Sequence, residues 1–209
     1  MAKFEVCSHK WADLSEYGYG VSILNDCKYG FATVGNVMRL SLMRAPKAPD
    51  AHADMGRHHI RYAILPHSGP LDHRTIRAGY NFNQPLTAVS AVSKNSTGAF
   101  DAIHMTGSKA LILDAVKRGE DDEDVSRGEL AKRPGQSIIL RLFESLGGKA
   151  RGTIHTTLPV KKVWKTNLLE DDEAAFPIIQ NHKDAAFAGQ KSVDIELRPF
   201  EVATFRLQL

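Results

Sequence analysis

The sequence predicts an all-β protein built from antiparallel sheets packed face to face as sandwiches. Three observations carry that expectation. Apolar and polar residues alternate with period two over most of the chain, clusters of Gly, Pro, Asn and Asp separate the alternating runs, and no long stripe of helical period competes with them. A sheet with one apolar face must bury it against another layer, so many short strands imply stacked sheets.

Near the start, Gly35-Asn36 lies between "YGFAT" and "VMRLSL" and marks a tight hairpin, because both residue types accept positive φ. Beyond it Met38, Leu40 and Leu42 alternate with Arg39 and Ser41. Ile60, Tyr62 and Ile64 stand against His59 and Arg61, and Ile76, Ala78, Tyr80 and Phe82 against Arg77 and Asn81; both runs read as strands. Further strands are expected over 110–116, 137–144, 152–158, 160–166, 193–197 and 200–207. Residues 117–134, "KRGEDDEDVSRGELAKRP", interrupt the pattern with five consecutive acids and read as an exposed, mobile loop. The expected organisation is a large β-sandwich region over 1–116, the acidic loop over 117–134, and a small C-terminal sandwich over 135–209.

A chain of 209 residues that is 43% hydrophobic can bury a core. Its 27 basic and 24 acidic residues are interleaved, so the net charge of +3 forms no stripe suited to a phosphate backbone, and nucleic acid is not an expected partner. No apolar run approaches the about 20 residues of a bilayer span, and residues 1–10 lack the apolar block of a secretory signal, so no membrane partner is expected. Cys7 and Cys27 are the only cysteines, too few for a disulfide framework, which fits a reducing compartment. Asn95-Ser96-Thr97 spells a glycosylation acceptor that matters only in a secreted chain.

Several residues could carry chemistry. His52, Asp54, His58 and His59 are zinc-type ligands, but a strand through them sends His58 and His59 to opposite faces, so a metal site is not expected there. Asp13, Glu16 and Asp26 are candidates for the paired carboxylates of a glycosidase, and glycines 18, 20 and 30 for close backbone approach to a ligand; turn chemistry explains the same residues without catalysis. Trp11, Tyr17, Tyr19, Tyr29 and Phe31 could stack on a sugar, or pack a core; Tyr17 and Tyr19 stand apart because flanking glycines put them on a loop. Cys27 follows Asn25-Asp26 in a turn with no recognisable base, and no nucleophile elbow or phosphate loop is present. No catalytic residue is assigned from these patterns.

Longer stretches say more. "FEVCSHKWADLSEYGYGVSILNDCKYG", "GNVMRLSLMRAPKAPDAHADMG" and "HHIRYAILPH", with "NLLEDDE" and "VDIELRPFEVATFRL" near the end, resemble the C-terminal β portion of family 38 glycoside hydrolases, the α-mannosidases, and most of all their cytosolic and fungal vacuolar branch. The resemblance covers nearly the whole chain, densest over 4–67 and 164–207. It implies hydrolysis of terminal α-linked mannose with retention, in which a carboxylate nucleophile, an acid/base carboxylate and a divalent ion, zinc or cobalt, sit in an N-terminal β/α barrel. No such barrel pattern occurs in these residues, so the chain is expected to be a non-catalytic portion of a larger enzyme, without a metal of its own. By the same resemblance the loop carrying Glu16, Tyr17, Gly18 and Tyr19 lends the rim of the sugar pocket. The implied partners are the N-terminal catalytic domain, mannosides and further copies of the enzyme, and the implied location is the cytoplasm with delivery to the vacuole. A free-standing carbohydrate-binding module and a structural oligomerisation domain are the alternatives.

Overall fold

The computed structural model describes residues 4–90, 101–128, 132–179 and 189–209. The chain divides into two compact units, Met1–Val92 and Ser93–Leu209. Both are antiparallel β structures, as the alternation predicts.

The first unit holds β1 (Val6–Cys7), β2 (Trp11–Ser15), β3 (Tyr19–Asn25), β4 (Gly30–Val34), β5 (Val37–Ser41), β6 (Tyr62–Ser68) and α1 (His73–Asn83). Its strands form two three-stranded sheets, ordered β1-β4-β5 and β2-β3-β6. The β4–β5 hairpin closes at Gly35, with φ 57°, and Val34 pairs with Val37. On β3, Gly20, Ser22 and Leu24 are buried while Val21 and Ile23 are only partly covered, so its two faces differ in surroundings.

Residues 76–82 are a helix, not the strand their alternation suggests. Ile76, Ala78, Tyr80 and Phe82 fit period two, but Thr75, Ile76 and Gly79 fall on one helical face, and that face is the buried one. The start is set by Asp72, whose carboxylate accepts the Arg74 N–H at 2.8 Å and caps the first turn. Gly69-Pro70 two residues before that cap is the punctuation that marks a helix entry here.

The second unit holds β7 (Ile103–Gly107), β8 (Leu111–Arg118), β9 (Ser137–Glu144), β10 (Ala150–Thr156), β11 (Lys162–Thr166), β12 (Asp172–Phe176), β13 (Lys191–Leu197) and β14 (Val202–Gln208). A three-stranded sheet, β13-β10-β7, packs on a five-stranded one, β12-β11-β14-β9-β8. Leu140 and Leu142 of β9, Phe205 and Leu207 of β14, and Ile154 and Ile195 of the smaller sheet meet in one buried cluster. Phe176 closes it edge-on against Phe205 at 5.2 Å between ring centroids. β8 pairs with β9 from Leu111↔Glu144 to Arg118↔Ile138. Residues 103–118 therefore belong with the C-terminal strands, and the division between units falls before the acidic segment rather than at it.

The described residues of that segment are anchored to the sandwich at Asp121 and Asp122, although Glu120, Glu123 and Asp124 stay exposed. Asp122 has no exposed surface and accepts the Ser137 N–H at 2.7 Å and the Ser137 hydroxyl at 2.6 Å. Fully buried Arg206 on β14 donates from Nη1 to Asp121 at 2.7 Å and to the Ser137 hydroxyl at 2.9 Å, from Nε to Asp172 at 3.1 Å, and from Nη2 to the Glu170 carbonyl at 2.7 Å. Arg133 crosses the same two carboxylates, Asp121 at 3.0 Å and Asp172 at 2.8 Å. Burial pushes the Asp121 carboxyl up, but hydrogen bonds and charge from Arg133 and Arg206 outweigh it and hold it below its usual range. Gly119 lets the strap approach, since a Cβ there would sit 2.8 Å from Arg206 Nη1 and 2.9 Å from an Asp122 oxygen.

Two carboxylates tie the sandwich ends. Buried Glu144 accepts N–H bonds from Leu146, Gly147 and Phe200 at 2.8–2.9 Å. Burial pushes its carboxyl up, but those amides outweigh it and the group lies below the usual range. Glu201 is held down to about 2, first by the Arg198 N–H and then by the Arg198 and Lys165 side chains, against the opposing effect of burial. Groups depressed in the folded state add stability above their unfolded value, and lose it as pH falls through the folded one. For Glu201 that window runs from 4.5 down to about 2. Denaturation midpoints are expected to drop across this window, and Glu201→Gln to flatten the drop. Arg206→Ala removes a buried partner of Asp121 and Asp172 and is expected to cost about 3–5 kcal/mol in chemical denaturation.

Candidate functional site

The β2–β3 hairpin carries Glu16, Tyr17, Gly18 and Tyr19. Ser15 pairs with Gly20, and the Glu16 N–H donates to the Tyr19 carbonyl at 2.8 Å, leaving Tyr17 and Gly18 at the tip. Tyr17 is 97% exposed and Tyr19 53% exposed. A short, hydrogen-bonded turn thus carries two aromatic rings out of the sheet. Beside them lies an open concavity of about 560 Å³ whose walls include Leu14, Glu16, Tyr19, Val21, Ile23, Asn36, Met38 and Ile64. Ser15, Glu16 and Asn36 are its polar residues, and the rest is mainly apolar.

A polar cluster braces the hairpin from the opposite face. Asp13 Oδ2 accepts the Ser22 hydroxyl at 2.5 Å and lies 2.7 Å from His67 Nε2, and the Ser22 hydroxyl is 3.0 Å from that of Thr75 on α1. All four side chains are buried or nearly so. Ser15 Oγ accepts the Leu71 N–H at 3.2 Å and ties the hairpin base to the α1 approach. The residue types are those of a nucleophilic triad, but the arrangement is not: Ser22 and His67 bond the same Asp13 oxygen. A triad needs the imidazole between hydroxyl and carboxylate, on a hydroxyl that substrate can reach. This cluster holds β2, β3, β6 and α1 together.

The structure separates the other candidates. Asp13 faces the brace, Glu16 faces the concavity, and Asp26 pairs with Arg61 Nε at 2.6 Å, so they form no carboxylate pair. Burial raises the Asp26 carboxyl, but hydrogen bonds from Cys27 and Arg61 outweigh it and leave it lowered. Of the aromatic set, Phe31 is core, Trp11 packs near Tyr80 at 6.5 Å, and Tyr29 stacks on His9 at 4.3 Å. Tyr17 extends from the turn, whereas Tyr19, expected on the loop, opens β3 and pairs with Ser68, half-exposed. Gly20 and Gly30 meet side chains of the protein itself: a Cβ at Gly20 would lie 2.6 Å from His67 Nε2 and from Ser15 Cβ, and Gly30 faces Glu5 and Ser41.

Near the histidine cluster, His58 Nε2 lies 2.7 Å from the Asp54 carbonyl, and an Asp54 carboxylate oxygen accepts the Ala45 N–H at 3.1 Å. Among the described residues no three His, Cys, Asp or Glu side chains stand close enough to hold a metal ion. Zinc needs three or four such donors, so the described residues do not fit one. Cys7 and Cys27 are free and exposed. Asn95 lies outside the described residues. Sequence reasoning missed His67 and Thr75, which reach Asp13 and Ser22 across 54 and 53 residues of chain. The absent side chain at Gly20, opposite His67 in the β3–β6 register, is the one local sign of that contact.

Family models place this architecture. The model described as "Glycosyl hydrolases family 38 C-terminal domain" matches residues 1–52, and "Glycosyl hydrolases family 38 C-terminal beta sandwich domain" matches 110–205, beginning one residue before β8. An alpha-mannosidase of Saccharomyces cerevisiae is 48% identical over 209 residues, which is 99% of this chain and 19% of that protein. Alpha-mannosidase 2C1 of Homo sapiens is 41% identical over 175 residues, 83% of this chain and 16% of that protein. The chain thus spans about a fifth of the length of the curated relatives it matches. Among solved structures, an alpha-mannosidase from Enterococcus faecalis V583 superposes with a TM-score of 0.69 at 18% identity, over all of this chain and 22% of that one, a likeness of fold.

The brace makes the β2–β3 hairpin sensitive at one glycine and tolerant at the other. Gly20→Ala is expected to destabilise the protein by about 1–3 kcal/mol and to speed hydrogen exchange in β2 and β3. Gly18→Ala, where a Cβ meets nothing within 4 Å, is expected to change neither.

Proposed function

Because the chain belongs to the C-terminal region of the glycosyl hydrolases of family 38, we propose that it serves as the non-catalytic β portion of a retaining α-mannosidase, an enzyme that removes terminal α-linked mannose. In this reading the bond-breaking groups belong to polypeptide outside these residues. A retaining glycosidase holds two carboxyl groups about 5 Å apart on a rigid frame. Asp13, Glu16 and Asp26 face three different surroundings and supply no such pair. A zinc or cobalt ion, which would grip sugar hydroxyls in the parent enzyme, has no fitting donor set among the described residues.

The contribution of this chain is positional: its sheets support the catalytic domain, and the hairpin carrying Glu16, Tyr17, Gly18 and Tyr19 forms part of the pocket rim. One observation carries the rim assignment. Tyr17 projects into solvent from a two-residue tip whose base is fixed by the Asp13–His67 contact at 2.7 Å. A hairpin with a fixed base loses little backbone freedom on meeting a sugar, and the apolar C–H face of a pyranose suits an aromatic ring. A cytoplasmic location, with delivery to the vacuole, belongs to the same proposal. It draws support from two exposed thiols left unpaired.

In the full-length enzyme, Tyr17→Ala and Tyr19→Ala are expected to raise KM for an aryl α-mannoside by roughly 3- to 10-fold, the worth of one ring contact of about 0.5–1.5 kcal/mol. An unchanged KM in both variants would overturn the rim assignment. Residues 1–209 alone are expected to show no turnover, and turnover by them would overturn the non-catalytic reading.

A further inference from the structure

Cys7 and Cys27 are both exposed, yet they stand in opposite electrostatic surroundings. Cys27 donates its S–H to the Asp26 carboxylate, which Arg61 also holds at 2.6 Å. Cys7 has a base beside it instead: His9 Nε2 lies 3.1 Å from its sulfur. The thiolate, not the thiol, is the nucleophile. At Cys27 a thiolate would face a negative charge, whereas at Cys7 an imidazole can take the proton as the sulfur attacks.

Backbone contacts hold this pair together. Residues i and i+2 of an extended chain share a face, which sets thiol and imidazole on one side. Cys7 ends β1 opposite Gly30 of β4, and the Ser8 N–H donates to the Tyr29 carbonyl at 2.8 Å. The Ser8 carbonyl accepts from Asn25 Nδ2 at 3.2 Å, so the residue between thiol and imidazole is tied on both sides. Lys10, with φ 69°, then turns the chain, and the Trp11 N–H closes back on the His9 carbonyl at 2.8 Å. The imidazole plane is set by Tyr29, whose ring stacks on it at 4.3 Å between centroids and 12° between planes. The Tyr29 hydroxyl donates in turn to the Asp26 carbonyl at 3.3 Å. Cys7 and His9 both remain exposed, so packing in a core does not account for the pair.

We propose that Cys7 is a site of reversible thiol modification, at which a low-molecular-weight disulfide is attacked with His9 as general base. The Cys7 sulfur bonds one sulfur of the disulfide, and the S–S bond of the reagent breaks. Its other half departs as a thiol carrying the proton that Nε2 took from Cys7. The product is a mixed disulfide on the enzyme, and a second small thiol reverses it by the same exchange.

A free thiol is only a few per cent ionised at pH 7, so a positioned base has room to raise its rate by about tenfold. The full-length enzyme is treated with oxidised glutathione at that pH, quenched with acid and read by peptide mass spectrometry. Glutathione is expected to accumulate on Cys7 about tenfold faster than on Cys27, and in guanidinium chloride the two rates are expected to converge. His9→Ala is expected to slow Cys7 to the rate of Cys27, with turnover of an aryl α-mannoside unchanged. His9→Phe, which keeps a ring against Tyr29 but carries no base, is expected to slow it equally. Equal rates at the two thiols of the folded enzyme would overturn the proposal, as would an unmodified Cys7 or a Cys7 rate that both His9 variants leave unchanged. The comparison of the two thiols in the folded enzyme needs no variant, so it decides the matter even where a substitution prevents folding.

Discussion

Arg206 is a charged side chain with no exposed surface, and the second unit is arranged around keeping it satisfied. A guanidinium taken out of water loses hydration worth several kcal/mol, which returns only if its N–H fork meets well-placed acceptors. Asp121, Asp172, Ser137 and the Glu170 carbonyl supply them, from three separate stretches of sequence. Carboxylates that would disperse in water are thereby fixed over the five-stranded sheet, and the acids of 120–124 become a strap. Lys117 and Arg118 at the end of β8 extend the network to Glu170, Asp122 and Asp124. Removing the central cation would leave Asp121 and Asp172 to Arg133 alone, and the strap would lose its one fully buried anchor of positive charge.

The first unit solves a different problem with similar means. A hairpin with glycines at 18 and 20 has little to hold it, yet Tyr17 and Tyr19 leave the sheet from a fixed base. The fixing comes from beneath, where Asp13 collects Ser22 and His67 at one oxygen and Thr75 links the group to α1. Buried polar groups are costly when unmatched and directional when matched, so such a cluster sets the relative positions of three strands and a helix. One face of the sheet is thus made rigid and the other left free for contact. The braced face and the open face are two sides of the same three strands.

Much of this was legible in the chain itself. The β4–β5 hairpin, β9 and β14 lie where alternation and turn residues put them, because pleat period and turn dihedrals are local properties. Two readings went astray for one shared reason. Residues 76–82 satisfy period two and also place Thr75, Ile76 and Gly79 on a helical face, and only the buried surface beneath α1 decides between them. Five consecutive acids look solvated until Arg206, 85 residues from Asp121, is brought alongside. Charge in a window says nothing about a partner that distant in sequence.

The sequence by itself determined an antiparallel β protein, its principal strands, and kinship with family 38. Only the tertiary structure decided that the acidic segment is a strap, that a helix covers the second sheet of the first unit, that Asp13 and His67 brace rather than react, and which apolar face stays open. Periodicity is written within a few residues, where sterics and pleat fix it. Burial is a relation between residues far apart in the chain, and it exists only once the fold has brought them together.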